Sequence, residues 1–129
     1  METVVNEVRT IAKRISYDEL LTTTFGAQGS VTIHEILPEG WAIDDVRVET
    51  EVAFNGSGTR VLDLGVTGSA EAIFANLDVK AQGIKAPSVT KYRATAPVAV
   101  IATLTTATDN PTAGVVLITL KLVQVRRED

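Results

Sequence analysis

The stretch DDVRVETEVAFN, residues 44–55, has the clearest alternation of apolar and polar side chains in the sequence. Successive side chains of a β-strand point to opposite faces of the sheet, so a period of two over this length predicts a strand with one buried and one solvent-facing side. We expect the buried side to carry Val46, Val48, Thr50, Val52 and Phe54. We expect the wetter side to carry Arg47, Glu49, Glu51 and Ala53.

Turn signals lie on both sides of this strand. Pro-Glu-Gly at 38–40 precedes it, and there Pro fixes φ while Gly tolerates positive φ. The segment SVTIHEIL (30–37) before that turn also alternates. Asn-Gly-Ser-Gly at 55–58 reads as a loop, after which TRVLDLGV (59–66) resumes the strand pattern. The sequence therefore predicts three consecutive strands joined by glycine-containing turns.

The segment SAEAIFANLDV (69–79) breaks this pattern. Its apolar residues Ala70, Ile73, Phe74 and Leu77 fall at helical spacing. We expect one or two helical turns here.

Two more strands are expected in the last third of the chain. The first lies within residues 90–106, where Pro97 marks a strand start or an edge position. A loop with Asn, Asp and Pro turn chemistry follows at 107–114. The second strand, VVLITLKLVQV (115–125), is apolar on both faces over its first half. Such a strand is expected to be central in its sheet or shared with another subunit.

The N-terminal segment fits two patterns. Val4, Val8, Ile11 and Ile15 fall at helical spacing, but the segment also alternates from position 9 to position 15. We expect an extended arm that becomes the first strand near Arg14, with a short helix as the alternative.

Six to eight strands without a strand–helix–strand periodicity predict an all-β fold. We expect an antiparallel β-sandwich, jelly-roll-like, with an N-terminal arm and at most one short helix. The expected organisation is an arm at 1–14, a sandwich domain at 15–125 and a charged tail at 126–129.

Composition excludes several classes of function. The chain has 129 residues, which predicts one domain, and a net charge of −4, which argues against general nucleic-acid binding. It has no cysteine, so it offers no thiolate ligand or nucleophile. No apolar run approaches the roughly 18 residues of a membrane span, and the first residues lack the apolar core of a signal peptide. We expect no nucleic-acid or membrane partner.

The residues that suggest chemistry lack partners. His34 is the only histidine and lies within an alternating strand, so we interpret it as structural. Asp44 and Asp45 are neighbours, whose side chains point to opposite faces on a strand, which disfavours a paired-carboxylate site. Trp41 is expected to be a core or interface anchor, with a sugar-stacking platform as the alternative. Asp63 is expected to face outward, with a buried or interface carboxylate as the alternative.

The glycine-rich segments FNGSGT (54–59) and DLGVTGSAE (63–71) are not phosphate loops. Neither ends in Gly-Lys-Ser/Thr, and neither has the Gly-x-Gly-x-x-Gly spacing between a strand and a long helix. We therefore predict no catalytic residue, no metal ligand and no cofactor.

A series of turn residues and apolar positions runs through residues 15–125 in a fixed order. These positions are Ile15, Ser16, Tyr17, Asp18, Glu19 and Leu20; Thr32, Ile33, Leu37, Pro38 and Gly40; Val46, Val48, Ala53, Phe54, Gly56 and Gly58; Leu64 and Gly65; Tyr92 to Thr95; and Pro111 to Gly114. In this order of segments the chain resembles small virion structural proteins of tailed bacteriophages and prophages.

This resemblance implies a jelly-roll-like sandwich that assembles on a phage particle, often around a threefold axis. Capsid decoration, head–tail connection and tail or fibre roles are all compatible with it. We expect first a non-enzymatic decoration or cement protein, assembled in the host cytoplasm into the virion. Its expected partners are further copies of itself, with a trimer as the first expectation, and the major capsid protein or other virion proteins.

Two other functions compete with this one. The first is a carbohydrate- or receptor-binding module of a tail fibre or tail tip, but the chain has only one Trp, two Tyr and three Phe to offer a sugar. The second is a cupin-like enzyme, whose metal site needs several histidines where this chain has one.

Overall fold

The structure of the chain, a computed structural model, describes residues 2–20, 29–56, 58–89, 92–106 and 111–128. Side chains are described for these residues except at 2–6, 29–30, 33–36 and 125–128. Within this part of the chain the elements are β1 (Glu2–Ser16), α1 (Tyr17–Leu20), β2 (Gly29–Leu37), β3 (Trp41–Val52), β4 (Arg60–Val66), β5 (Ser69–Asp78), β6 (Gly83–Lys85), β7 (Val98–Thr106) and β8 (Val115–Glu128).

The strands pair as a nested antiparallel ribbon. β1 pairs with β8, β2 with β7, β3 with β6 and β4 with β5. Two further pairings, β3 with β8 and β4 with β7, wind this ribbon into two sheets. The strand orders are β1-β8-β3-β6 in one sheet and β2-β7-β4-β5 in the other. Eight strands in two such sheets form a jelly roll, and the predicted all-β sandwich is confirmed.

The core lies between the two sheets. Each sheet contributes one face of alternating apolar side chains, as expected for sheets that pack face to face. From the first sheet, β8 contributes Val116, Ile118, Leu120 and Leu122, all at most 2% exposed. From the second sheet, the buried side chains include Leu62, Leu64, Val100, Ala102 and Leu104.

The first strand is longer than expected. It begins at Glu2 rather than near Arg14, because β8 continues to Glu128 and provides pairing partners along the whole segment. The short-helix alternative for this segment is wrong, and the one short helix among the described residues, α1, follows it. That residues 1–14 act as a separable arm and residues 126–129 as a tail stays a prediction.

The alternation of β3 is confirmed with one exception. Val46, Val48 and Thr50 are buried, and Phe54 just after the strand is also buried. Val52 was predicted to be buried with them, but it is 44% exposed. The reason is a register shift in the β3–β8 pairing between Thr50 and Val52, where the two strands advance by different numbers of residues.

The helical turns predicted between 69 and 79 are wrong, because this segment is strand β5. Leu62 pairs with Leu77 and Leu64 with Phe74, so β5 contains one more residue than β4 between these two pairs. A second register shift follows between Leu64 and Val66, where four residues of β5 stand against one of β4, and in this irregular segment Ile73 and Phe74 are both buried. A bulged strand has thus produced apolar positions at helical spacing.

The remaining sequence expectations about strands hold. β7 begins at Val98, immediately after Pro97. β8 lies between β1 and β3, so the strand that is apolar on both faces is central in its sheet. β6, a three-residue strand at the edge beside β3, was not predicted.

Candidate interaction surface

The two carboxylates of the acidic pair in β3 make different contacts. Asp44 lies at the register shift between Ile43 and Asp45, and its Oδ2 is 3.4 Å from Lys121 Nζ. Asp45 Oδ1 accepts a hydrogen bond from the backbone N–H of Val46 at 2.9 Å. The two carboxylates thus have separate structural partners.

His34 lies on β2, where its backbone is opposite Val100 of β7. Its side chain lies outside the described part of the structure, so its structural role stays a prediction. Among the described residues, no three His, Cys, Asp or Glu side chains are grouped so as to hold a metal ion. No helix in the described ranges is long and apolar enough to cross a membrane.

Trp41 is a core residue and not an open platform. It is 7% exposed, and the guanidinium carbon of Arg9 lies 5.1 Å from the centre of its ring. A cation at this distance interacts favourably with the ring and covers one of its faces. The position at the start of β3 therefore fits an anchor and does not offer a stacking surface to a sugar.

Asp63 of β4 lies on the side of the strand opposite the core residues Leu62 and Leu64, yet only 5% of its surface is exposed. It is therefore a buried carboxylate, the alternative to the expected solvent-facing residue. Its Oδ1 accepts a hydrogen bond at 2.8 Å from the backbone N–H of Asn76. Asn76 has a φ of 59°, in the left-handed region, and lies in the bulge of β5. The carboxylate therefore satisfies a backbone donor that the bulge displaces from the regular strand ladder.

The described residues of the glycine-rich loop after β3 are held by hydrogen bonds to other protein groups. The side chain of Asn55 accepts hydrogen bonds from the backbone N–H groups of Thr112 and Ala113, at 2.8 and 3.0 Å. The fully buried guanidinium of Arg60 donates to the carbonyl oxygens of Asn55 and Thr59, both at 3.0 Å. The bonds of Asn55 tie the loop between β3 and β4 to the segment before β8, and those of Arg60 tie the loop to the start of β4.

The feature that stands out is the face of the β1-β8-β3-β6 sheet that points away from the core. We call it the outer face. Even-numbered residues 116–122 of β8 point into the core, so odd-numbered residues of β8 and their pairing partners point outward. Its described members are Val8, Thr10, Ala12, Arg14 and Ser16 of β1; Val115, Leu117, Thr119, Lys121 and Val123 of β8; Ala42, Asp45, Arg47, Glu49 and Val52 of β3; and Ile84 of β6. Glu51 of β3 joins them through its contact with Arg14.

The large apolar side chains that are exposed among the described residues all lie on the outer face. They are Val8, Val52 and Ile84, which are 53%, 44% and 64% exposed. Val8 pairs with Val123 and Val52 with Val115, while Ile84 is opposite Glu49, which pairs with Leu117. Apolar side chains concentrated on one sheet face mark it as a candidate interface.

Charged side chains are interspersed with these apolar residues. Arg14 makes a bidentate contact with Glu51 of β3, with Nε–Oε1 and Nη2–Oε2 distances of 2.6 and 3.1 Å. This hydrogen bond lowers the pKa of the Glu51 carboxyl and raises the pKa of the Arg14 guanidinium. Near the other end of the face, a depression of about 250 Å³ is lined by Thr10, Asp45, Arg47, Thr119 and Lys121.

Sequence reasoning found only the β8 part of this surface, because it considered each strand by itself. The signal was the two-sided apolar pattern of residues 115–123, which was interpreted correctly as a central or shared strand. Which residues of β1, β3 and β6 lie beside that outer side depends on pairing register and on the shift that turns Val52 outward. Neither can be derived from one strand alone.

No family model and no curated protein sequence matches the chain. Solved structures do share its fold. A chain of the acidic stable capsid structure of Helicobacter pylori bacteriophage KHP30 has a TM-score of 0.66 and 18% identity, over 98% of this chain and 98% of that one.

Two further chains have the same fold. One belongs to the capsid asymmetric unit of cyanophage Pam1, with a TM-score of 0.62 and 20% identity over 92% of this chain and 85% of that one. The other belongs to the capsid of Ralstonia phage GP4, with a TM-score of 0.60 and 17% identity over 94% and 86%. The chain is therefore similar in fold, over nearly its whole length, to chains of phage capsid structures.

Proposed function

We propose that this chain is a non-enzymatic structural protein of a phage particle. The observation that carries the proposal is its full-length similarity to a chain of the KHP30 capsid structure, which covers 98% of both chains. A similarity that covers 98% of both chains supports a similar role for the region that they share. The separate structural partners of Asp44 and Asp45 and the buried position of Asp63 agree with a role in assembly and not in catalysis.

Within that role, the chain is a decoration or cement protein on the capsid. Such a protein works by burying its surface against neighbouring subunits, so it needs a face that is apolar enough to be covered and charged enough to be specific. The outer face supports this, because Val52 and Ile84 are exposed beside Arg47 and Glu49. The partner is the major capsid protein or another virion protein, and the location is the virion, with assembly in the host cytoplasm.

The chain also associates with itself, and the expected oligomer is a trimer. Closed rotational symmetry covers an apolar face without creating an open-ended chain of subunits. Val115 and Leu117 are apolar and only half-buried on the outward side of β8, which supports a contact with another copy of the chain at this face. We expect three copies, rather than another number, because the resemblance to phage virion proteins implies assembly around a threefold axis. The mass in solution tests it, since a trimer has three times the 13.7 kDa of the chain.

Co-sedimentation tests the proposed function. The chain is co-expressed with the capsid genes of the same genome, and particles are separated from free protein on a density gradient. We expect the chain in the particle fraction and a lower melting temperature for particles made without it. A chain that stays at the top of the gradient, with particles of unchanged heat stability, would contradict the proposal.

A pair of double variants tests the outer face. Val52→Lys with Ile84→Lys places two cations on the outer face, and both positions are exposed, so folding is expected to be preserved. Ala70→Lys with Ala75→Lys places the same charge on exposed positions of β5, in the other sheet. The first variant should lose particle binding and the second should keep it. Equal binding of both would exclude the outer face as the contact.

The carbohydrate- or receptor-binding alternative has weaker support. It needs exposed aromatic rings, and Trp41 is buried beneath Arg9. The two tyrosines, Tyr17 and Tyr92, are each partly buried and packed against the core. Binding of the purified chain to a glycan array would favour this alternative.

A further inference from the structure

The outward edge of β1 is the longest strand edge in the described part of the chain that has no strand beside it. β1 has 15 residues and is the outermost strand of its sheet, with β8 as its one neighbour. An edge of this length presents a row of backbone donors and acceptors to any other extended strand. The side chains from Glu7 to Thr10 are exposed, so this part of the edge is accessible in the described structure.

The sequence of β1 divides at Val8 into an acidic and a basic half. Residues 2–7 contain two acidic and no basic residues, Glu2 and Glu7. Residues 9–16 contain three basic and no acidic residues, Arg9, Lys13 and Arg14. A strand with opposite charge on its two halves is complementary to a second copy of itself that runs antiparallel.

We propose that β1 pairs antiparallel with β1 of a second copy about a two-fold axis through Val8. In this register Glu7 of one copy is opposite Arg9 of the other, and the reverse pair is formed on the other side of the axis. Opposite charges directly across an antiparallel pair are stabilising. The same residue meets itself at the axis, as an isologous interface requires.

Val8 is the reason for choosing this register. It is 53% exposed and is the large exposed hydrophobic residue of β1 among those described. Pairing Val8 with its own copy covers both side chains at once. A register centred on Arg9 would place two guanidinium groups opposite each other, and one centred between Ile11 and Ala12 would place Arg9 opposite Arg14. Like charges directly opposite are destabilising.

The charges on either side of the axis already form a local pair within one chain. Arg9 Nε lies 3.2 Å from Glu7 Oε1. In the paired state, the two Glu7 and two Arg9 side chains would form one group of four alternating charges. The result would be a continuous eight-stranded sheet in which the two β1 strands are neighbours at the centre.

This contact goes beyond the proposed function, because it joins two copies of the chain and requires no capsid. It is also separate from a threefold contact: two-fold pairing of β1 edges would link one trimer to the next. Its test is therefore made on purified protein, and its failure would leave binding to the particle untouched.

The chain has no cysteine, so a single introduced cysteine reports on a single position. Opposite residues of an antiparallel pair have Cα atoms about 4.5–5.5 Å apart, within the range that a disulfide bridges. The variant Val8→Cys should therefore form a covalent dimer under mild oxidation, seen on a non-reducing gel. The control Thr10→Cys changes an exposed residue on the same face. In this register each residue 10 is opposite residue 6 of the other copy, so the two introduced cysteines are not paired and should not form a disulfide.

The result that overturns the proposal is a Val8→Cys protein that stays monomeric on the gel, or a Thr10→Cys protein that crosslinks equally well. Charge exchange provides a second criterion. In the Val8→Cys background, Glu7→Arg should abolish the dimer band, because it places the introduced guanidinium opposite Arg9 of the other copy. Adding Arg9→Glu should restore the band. A band that is insensitive to both changes would exclude the proposed pairing.

Discussion

The carboxylate of Asp63 accepts a hydrogen bond of 2.8 Å from the backbone N–H of Asn76, across the β4–β5 pair. This contact joins a buried acidic side chain to the one described non-glycine residue that has a positive φ, 59°. It accounts for two local departures from the regular pattern at once, the buried acidic residue of β4 and the bulge of β5. Because the bond is buried, its loss should be measurable as a loss of stability.

Replacing Asp63 with Ala should therefore lower the free energy of unfolding by about 1–3 kcal/mol, the range for a buried donor that loses its partner. Asp63→Asn keeps an oxygen that can accept the same hydrogen bond and should cost less. Urea denaturation at one fixed protein concentration measures both values. Equal costs for the two variants would indicate that the carboxylate charge, and not the hydrogen bond to Asn76, stabilises the fold.

Phe54 and Val52 make a matched pair for testing the register shift at the end of β3. Phe54 is fully buried, so Phe54→Ala should cost about 3–5 kcal/mol. Val52→Ala, at a position that is 44% exposed, should change stability by about 0.5 kcal/mol or less. Glu49→Ala is expected to be equally mild. A cost of several kcal/mol at Val52 would mean that the strand continues in regular alternation and that the shift is wrong.

Gly65 on β4 is expected to tolerate no side chain. A Cβ at this position would overlap the backbone of Ser69 and Ala70 on β5, and backbone cannot move aside as a flexible side chain can. Gly68, in the turn between these strands, has a φ of 89° and open space around it. Gly68→Ala should thus lower the free energy of unfolding only by the energy of placing alanine in the left-handed conformation, about 1–2 kcal/mol. Gly65→Ala should cost clearly more, as read from the difference in melting temperature.

The Arg14–Glu51 pair on the outer face gives a dependence on pH. The hydrogen bond from Arg14 lowers the pKa of Glu51 below its ordinary value of 4.5. A carboxyl whose pKa is lowered by folding contributes stability above its ordinary pKa and loses it as the pH falls through the lowered value. NMR titration should give Glu51 a pKa below its ordinary value, and Arg14→Gln should raise it again. A pKa of Glu51 that Arg14→Gln leaves unchanged would contradict the contact.

The fold class could be predicted from the sequence because the evidence for it is local. Alternation in residues 44–50 reports one buried sheet face, and glycine or proline at 38–40 and at 97 reports where strands begin. The two-sided apolar pattern of residues 115–123 likewise indicated that β8 is central. These features depend on residues close together in the sequence, so a single strand contains the information.

The errors arose where pairing between distant segments decides the structure. Val52 turns outward, and Ile73 and Phe74 are both buried, because a strand and its partner advance by different numbers of residues. Asp63 is buried because its partner, Asn76, is displaced by that bulge. The length of β1 was missed for the same reason, since it is set by how far β8 extends. The outer face combines residues of four strands that only these pairings bring side by side, so no single stretch of sequence predicted it.

The measurement that tests the central claim most directly is a cryo-electron microscopy reconstruction of particles from cells that co-express this chain with the capsid genes of the same genome. The account predicts an eight-stranded jelly-roll density at regularly repeated sites on the capsid surface, with the β1-β8-β3-β6 outer face against a neighbouring subunit. Particles that lack this density, while the folded chain remains free in the lysate, would contradict a structural role in the virion.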